Sequence, residues 1–320
     1  MNRKAVVSLI IIVAAILMIF DIKYNGSKIL REFEIESIDD SRLNINYPGD
    51  IIDTPHAEKR VSDRQIVLGE DIKALCIKNG MGSVNISGEK RDDILLSCRL
   101  TVYAEEKEEA ELLAEGLDVH TYTAGDRMII EPEIPEYAER IKAIIVDYDL
   151  LVPEDLLLDI SNSFGRLTVK NMIEDMSLKN SFDTVEIRNN SGDVELRTTY
   201  GAIYAEDISG NLAINSSFTN TDCSRIRGNM NANIAFGVFR ARDFTNSLRI
   251  RAAYSEIEVE PGDGLIEYEL YCETKYGNIS TNLPFQLERK DNVRILRGSE
   301  GSADIKIDII NECGSIRINK

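Results

Sequence analysis

The sequence has no tryptophan, only two histidines and a deficit of basic residues. Aromatic residues make up 7% of its 320 residues, and 55 acidic residues outweigh 37 basic ones, which gives a net charge of −18. Proteins that bind nucleic acid cluster Lys and Arg against the phosphates, so this balance predicts no nucleic-acid partner. His56 and His120 stand alone in the sequence, without the further ligands that a zinc site needs. We therefore predict neither a metal site nor a cofactor.

Cysteine is also scarce, and its copies lie far apart. They are Cys76, Cys98, Cys223, Cys272 and Cys313. An odd and scattered set does not form the disulfide framework of a small secreted domain. Most lie in apolar, strand-like runs, which is typical of small buried side chains rather than reactive thiols. Cys76 and Cys98 lie on strands that we predict to be neighbours, so a bridge between those two remains open.

One long apolar run stands near the beginning of the sequence. Residues 5–20 carry no charge and follow Arg3 and Lys4. As a helix they would span about 24 Å, slightly less than the ~30 Å of a bilayer core. A cleaved signal peptide and an uncleaved signal anchor are both open, but no small-residue cleavage site follows Phe20. We predict a single-pass anchor over residues 1–22, an extracytoplasmic remainder, and a charged stalk over residues 23–63.

An 18-residue repeat dominates the second half of the sequence. Its clearest mark is an aromatic residue at constant spacing, at Phe164, Phe182, Tyr200, Phe218, Phe236 and Tyr254. Halfway between these positions lies a second series, centred on Gly192, Gly210 and Gly228. After each of these positions comes a short stretch in which every second residue is apolar. Of the 22 predicted apolar positions between residues 167 and 259, only Thr221 is polar.

The repeat predicts an all-β fold. Strict alternation turns one face of each short strand inward, and two unlike turns close a unit of 18 residues. We predict a parallel β-solenoid of the β-helix type over residues 154–320, with two-strand coils stacked about 4.8 Å apart. The six aromatic rings then form a structural ladder at one corner. Ile316–Ile318 is expected to be an exposed terminal strand that is open to end-to-end pairing, although Arg317 and Lys320 should discourage such pairing.

A smaller β-rich region precedes the repeat, over residues 64–153. Strand-like runs fill residues 64–103, and an acidic segment at 104–117 predicts one short helix. The apolar residues of that segment, Leu112, Leu113 and Leu117, are expected to dock onto the neighbouring strands.

Three motifs together resemble a known family. They are GSVNIS, the segment YDLLVPEDLLLDISNSFGRLTV, and the tandem units of glycine and alternating apolar residues. Over roughly residues 64–320 they look like the bacterial adhesin-like family of β-strand-repeat proteins, whose function is unknown. The resemblance implies a β-helix type of fold and a surface or envelope location. It provides no catalytic residue, because the family has no established one.

The sequence contains features of two kinds of chemistry, calcium binding and glycoside hydrolysis, and each feature also has a structural explanation. Calcium β-rolls need G-G-x-G-x-D, but here Asp193 is replaced in later coils by Asn211, Asn229 and Ser247. On one predicted sheet the outward residues stack as Thr168, Glu186, Tyr204, Asp222, Arg240 and Glu258. Glu186 and Asp222 would lie two coils, or about 9.6 Å, apart, which approaches the carboxylate spacing of inverting glycosidases. Ion pairs of Arg240 with its two acidic neighbours explain the row without catalysis.

These observations predict a non-enzymatic cell-envelope protein, namely an adhesin-like binding or sensing module. Its expected partners are the membrane, through the N-terminal helix, and a cell-wall polymer or a surface protein. Two alternatives stay open. One is a polysaccharide-active β-helix enzyme that uses the outer acidic residues, and the other is a structural or accessory component of envelope-stress signalling.

Overall fold

The computed structural model describes residues 54–133, 141–262, 267–301 and 304–319. All of them belong to one compact unit, Asp40–Lys320. This part of the chain is almost entirely β-structure, with one helix, α1 (Lys107–Gly116). The all-β part of the predicted fold class is therefore confirmed. The predicted anchor and most of the predicted stalk lie outside the described residues.

The strands fall into three groups along the chain. Before the repeat lie β1 (His56–Val67), β2 (Ala74–Met81), β3 (Val84–Glu89), β4 (Asp93–Tyr103), β5 (Asp118–Ala124), β6 (Arg127–Glu133) and β7 (Ala143–Pro153). The repeat contains β8 (Leu157–Phe164), β9 (Leu167–Lys170), β10 (Met176–Asn190), β11 (Val194–Ile208), β12 (Leu212–Ile226), β13 (Met230–Ala235), β14 (Val238–Arg242), β15 (Leu248–Ala253) and β16 (Glu256–Glu260). After it come β17 (Tyr268–Lys275), β18 (Ile279–Thr281), β19 (Gln286–Lys290), β20 (Val293–Glu300), β21 (Lys306–Asn311) and β22 (Ile316–Ile318).

Within the repeat, neighbouring strands pair in parallel with a register shift of 18 residues. Met176 is opposite Val194, which is opposite Leu212, and that residue is opposite Met230. The same shift relates β14 to β16 and β13 to β15. We call β8, the first halves of β10 to β12, β13 and β15 the first strand series. We call β9, the second halves of β10 to β12, β14 and β16 the second strand series.

The core runs along the inner faces of these strands. All 22 alternating positions between residues 167 and 259, Thr221 included, are at most 3% exposed. Alternation in the sequence therefore becomes alternation of buried and outward side chains, and equivalent positions pack above one another.

The β-rich region before the repeat continues both strand series. β2 pairs in parallel with β8, and β3 pairs in parallel with β9. β7 then joins β3 in parallel and β4 in antiparallel orientation, and β1 closes this edge of the sheet against β4. β1 begins at His56, inside the segment that the sequence assigned to the stalk.

Helix α1 lies against β1 and β4, as its apolar residues suggested. Leu113 and Leu117 are buried, but Leu112 is 71% exposed, so its predicted docking is wrong. The reason is helical spacing, because the buried side is formed by Ala110, Leu113 and Ala114.

At the other end, spatial order departs from chain order. β21 lies between β15 and β17, and β22 lies between β16 and β18. The expectation of an exposed terminal strand at Ile316–Ile318 is therefore wrong, because both edges of β22 are paired. β20 pairs with β17 and β19 in antiparallel orientation and continues the sheet beyond this unit.

The five cysteines form no disulfide bond. Cys76 and Cys98 do not lie on adjacent strands, because β2 pairs with β6 and β8 whereas β4 pairs with β1 and β7. The bridge that the sequence left open is absent for this reason.

Candidate functional site on the outer face of the second strand series

The six predicted ladder residues lie in one column at the corner that joins the two strand series. Consecutive ring centroids are 4.6 to 5.3 Å apart, and consecutive rings lie within 8° of parallel. Below Phe164 the column meets Met81, which takes the equivalent position in the strand pair β2–β8. The rings are half-buried rather than enclosed in the core.

The stacking determines what this aromatic ladder offers to a ligand. Each inner ring has both faces covered by its neighbours, so mainly ring edges meet the solvent. Four ladder residues, Tyr200, Phe218, Phe236 and Tyr254, also have φ between 53° and 62°. A bulky residue adopts this left-handed region rarely and at a cost in free energy. We interpret the ladder as a structural element whose stacking offsets that strain.

A buried row of asparagines, which the sequence analysis missed, supports the same corner. Asn162 lies two residues before its ring, and its Nδ2 donates a hydrogen bond to the carbonyl oxygen of Gly165 (2.9 Å) and lies 3.1 Å from the side-chain amide of Asn180. Asn79 and Asn311 likewise donate to backbone carbonyl groups of this corner. The signal was present as the recurring triplet NSF, in which the asparagine precedes the conspicuous aromatic residue.

The opposite corner is built from glycines and from side chains that bond to the next unit. Asp193 Oδ1 accepts a hydrogen bond from the Asn211 backbone N–H (2.7 Å), and Asn211 Oδ1 accepts one from the Asn229 N–H (3.0 Å). The side-chain and backbone hydrogen bonds from Asn211 hold the pKa of Asp193 below its usual range. Within the described residues, no three His, Cys, Asp or Glu side chains come together as a metal-ligand set.

The predicted outer row is present on the second strand series. Glu186, Tyr204 and Asp222 are opposite one another in register, and Arg240 and Glu258 follow. The Tyr204 side chain is 49% exposed, whereas Thr168 at the beginning of the row is only 9% exposed. The row therefore begins in a depression of the surface at Thr168 and becomes exposed at Tyr204.

The acidic residues of this row form ion pairs with basic side chains. Glu186 Oε1 lies 2.8 Å from Arg188 Nε and 3.6 Å from Lys170 Nζ. Asp222 Oδ1 lies 2.6 Å from Arg242 Nη2. This differs from the expected pair with Arg240. Both arginines lie on β14, but the side chain of Arg240 turns to Glu258 on the next strand, and Arg242 reaches Asp222 from two residues farther along.

Arg240 pairs instead with Glu258, where Nε and Oε2 are 2.8 Å apart. Ion pairing of both Glu186 and Asp222 argues against the use of either residue as a general acid or base.

The depression next to Thr168 is an open groove of about 440 Å³ on the outer face of β4, β7, β3 and β9. Seven polar side chains line it, namely Asp63, Asn85, Ser87, Ser97, Asp149, Thr168 and Lys170. Leu95 and Leu151 contribute apolar surface. The groove arises where antiparallel strands continue the sheet of the second strand series.

Several polar groups of the groove already contact one another. Asn85 Nδ2 donates to Asp149 Oδ1 at 2.9 Å. Asp63 has a left-handed φ of 52° at the register shift of β1, and its backbone N–H donates to Ser97 Oγ at 3.2 Å. This irregularity brings the Asp63 carboxylate to the rim of the groove. The hydrogen bonds hold these side chains in place, which reduces the entropy lost when a ligand binds.

The buried thiols do not contribute reactive chemistry. Burial raises the pKa of Cys98 to about 11 and raises the pKa of Cys223 and Cys272 well above the ordinary range of a thiol. Since the thiolate is the nucleophile, these three cysteines are unreactive in the folded protein.

Structural comparison with known proteins finds the same class of protein as the family that the sequence resembles. A candidate cell adhesion protein from Clostridium sporogenes is similar in structure, with 13% identity, a TM-score of 0.23, and coverage of 83% of this chain and 99% of that one. A candidate adhesin from Bacteroides fragilis has 8% identity and a TM-score of 0.41, with coverage of 82% and 96%. No family model and no curated protein matches the sequence. Both structural neighbours are thus candidate adhesion proteins.

Proposed function

We propose that this protein is a non-enzymatic, adhesin-like module of the cell envelope, built as a two-sided β-solenoid of 18-residue coils. The observation that carries the proposal is the outer face of the second strand series. It combines a shallow groove, an exposed tyrosine and acidic residues that are held in ion pairs. Such a face is suited to binding an extended partner rather than to enclosing a substrate around a catalytic pair.

The partner is proposed to be a cell-wall polymer or a surface protein. Strand pairing holds the side chains of this face in register, so successive side chains are spaced by one strand separation. This regular spacing suits a polymer, whose units also recur at a constant distance. The polysaccharide-active alternative would need Glu186 and Asp222 to leave their arginine partners.

A sedimentation assay tests the binding role. A soluble form that begins at residue 40 should cosediment with the envelope fraction of the producing cells. A Glu186→Gln/Asp222→Asn double variant should still cosediment, because it keeps the groove and the exposed tyrosine and removes only carboxylates that form ion pairs. Release of sugar fragments by the parent protein but not by the double variant would establish the enzyme alternative. Failure of both forms to sediment would favour the alternative of a structural component that binds no envelope ligand.

We also propose that residues 1–22 anchor the protein in the cell membrane, with the β-structure on the extracytoplasmic side. The proposal rests on the apolar run at residues 5–20 and the basic residues before it. Among the residues that the structure describes, no helix combines the length and the apolar character that a membrane span needs.

Membrane fractionation tests the anchor. Membranes washed with concentrated salt should retain the full-length chain, because salt removes proteins held by charge but not an inserted helix. Recovery of a soluble form that starts near residue 25 would show instead that the segment is a cleaved signal peptide.

A further inference from the structure

We propose that the groove on β4, β7, β3 and β9, together with Tyr204, binds an uncharged glycan chain. This inference deepens the proposed function and rests on it, because it names the site and the ligand class. Its first basis is position. Ser97, Asp149, Asn85 and Thr168 are opposite one another on successive strands, and Glu186 and Tyr204 continue the same row. From Ser97 to Tyr204 the row crosses five strand spacings, or about 24 Å.

The pairing of the strands excludes a peptide bound by strand addition at this place. β4 is paired with β1 and β7, and β7 is paired with β4 and β3. β3 and β9 are likewise paired on both sides. None of these four strands, which form the floor of the groove, therefore presents the free backbone edge that β-augmentation requires. β1, which contributes only Asp63 at the rim, is the strand that closes the sheet against β4. A ligand must be recognised by side chains alone.

The charges in the groove exclude a polyanion. Lys170 is the only cationic side chain that lines the described groove, and its ammonium group already lies 3.6 Å from Glu186. Two carboxylates, those of Asp63 and Asp149, share the groove with it. Phosphate or sulfate polymers need clustered cations with unpaired charge, often arginine, and would be repelled here.

The remaining groups match the chemistry of a sugar. The groove offers one amide, three hydroxyl groups and two carboxylates, which together can both donate to and accept from sugar hydroxyl groups. Leu95 and Leu151 provide apolar surface for the C–H face of a ring. Tyr204 presents an exposed ring farther along the row, where the next sugar residues would lie.

The aromatic ladder is a poor alternative for the same ligand. Its inner rings are stacked at 4.6 to 5.3 Å, so neighbouring rings cover the faces on which sugars would stack. The exposed ring of Tyr204, by contrast, lies between the charged side chains Glu186 and Asp222 in the neighbouring strands.

Calorimetric titration of the full chain tests the proposal. A zwitterionic detergent without a sugar headgroup keeps the apolar N-terminal run soluble, and the probes are cellotriose, cellohexaose and chitohexaose. At least one hexasaccharide should bind, and Asn85→Ala should weaken that binding about tenfold, since it removes a donor from the groove. Tyr204→Ala should weaken cellohexaose more than cellotriose, because only the longer chain reaches the ring.

Asn215→Ala is the matched control. Asn215 lies in the first strand series and, like Asn85, forms a side-chain hydrogen bond to the neighbouring strand. It accepts from Asn233 Nδ2 at 2.8 Å, whereas Asn85 donates to Asp149 Oδ1 at 2.9 Å. Its loss should leave glycan binding unchanged. The proposal is overturned if no neutral oligosaccharide binds, if Asn85→Ala and Asn215→Ala behave alike, or if polyphosphate or spermine binds more tightly than the sugars. Cosedimentation with envelopes that survives Asn85→Ala would retain the proposed function but remove this groove as its site.

Discussion

Replacing Gly210 with alanine should lower the free energy of unfolding by about 3 kcal/mol. The added Cβ would lie 2.2 Å from the carbonyl oxygen of Gly192 and 2.5 Å from its carbonyl carbon. Both atoms belong to the backbone of the preceding 18-residue unit, so no side chain can rotate away. Relief requires the two units to move apart, which lengthens the hydrogen bonds between them. Urea denaturation followed by far-ultraviolet circular dichroism measures the loss.

Gly69→Ala provides the control for this prediction. No atom lies within 4 Å of the Cβ that this change would add, and Gly69 does not adopt the left-handed φ that disfavours a side chain. Its effect should stay within about 0.5 kcal/mol. If Gly210→Ala were equally mild, the units could not approach each other as closely as the carbonyl contact requires.

Phe218 should respond in an unusual way to truncation. Phe218→Ala removes a ring that stacks on Tyr200 and Phe236, each with a centroid distance of 4.9 Å, and should destabilise the protein by about 3 kcal/mol. Phe218→Gly should be less harmful, by about 1 kcal/mol, although glycine normally weakens a strand. The reason is that Phe218 has a φ of 55°, a conformation that glycine adopts without strain.

Phe182 is the natural control, because it has two stacked neighbours but no left-handed φ. At this position glycine should be worse than alanine by about 0.5 to 1 kcal/mol. The four unfolding free energies together separate the contribution of stacking from that of backbone strain. The same order of alanine and glycine at both positions would contradict a strained corner.

The periodic part of the fold was predictable from the sequence because each unit repeats the same local pattern. Alternation placed residues such as Leu196 and Ile214 on the inner face, and both are at most 2% exposed. Asn190 stands two residues before the Gly192 turn, at a position that is apolar in other units, as at Met172 and Ile208. It has a local explanation, since its side chain accepts a hydrogen bond from Met172 N–H and donates one to the Arg188 carbonyl group.

What the pattern could not provide is contact between segments that are distant in the chain. The groove depends on β7 lying beside β3, where Asp149 meets Asn85 across 64 residues of sequence. No local period predicts that pairing. The choice of Arg242 rather than Arg240 as the partner of Asp222 depends likewise on side-chain reach, which spacing alone does not determine.

The placement of β21 and β22 between earlier strands has a consequence for how the polypeptide reaches its native state. As the chain leaves the ribosome, each strand from β10 to β16 finds its parallel partner already synthesised. β17 and β18 do not, because the strands that join them to β15 and β16 come later. Premature docking of β18 onto β16 would be a kinetic trap, since it must reverse before β22 can enter. If the antiparallel pair of β17 with β20 formed first, it would protect the unpaired edge of β17 until β21 is available.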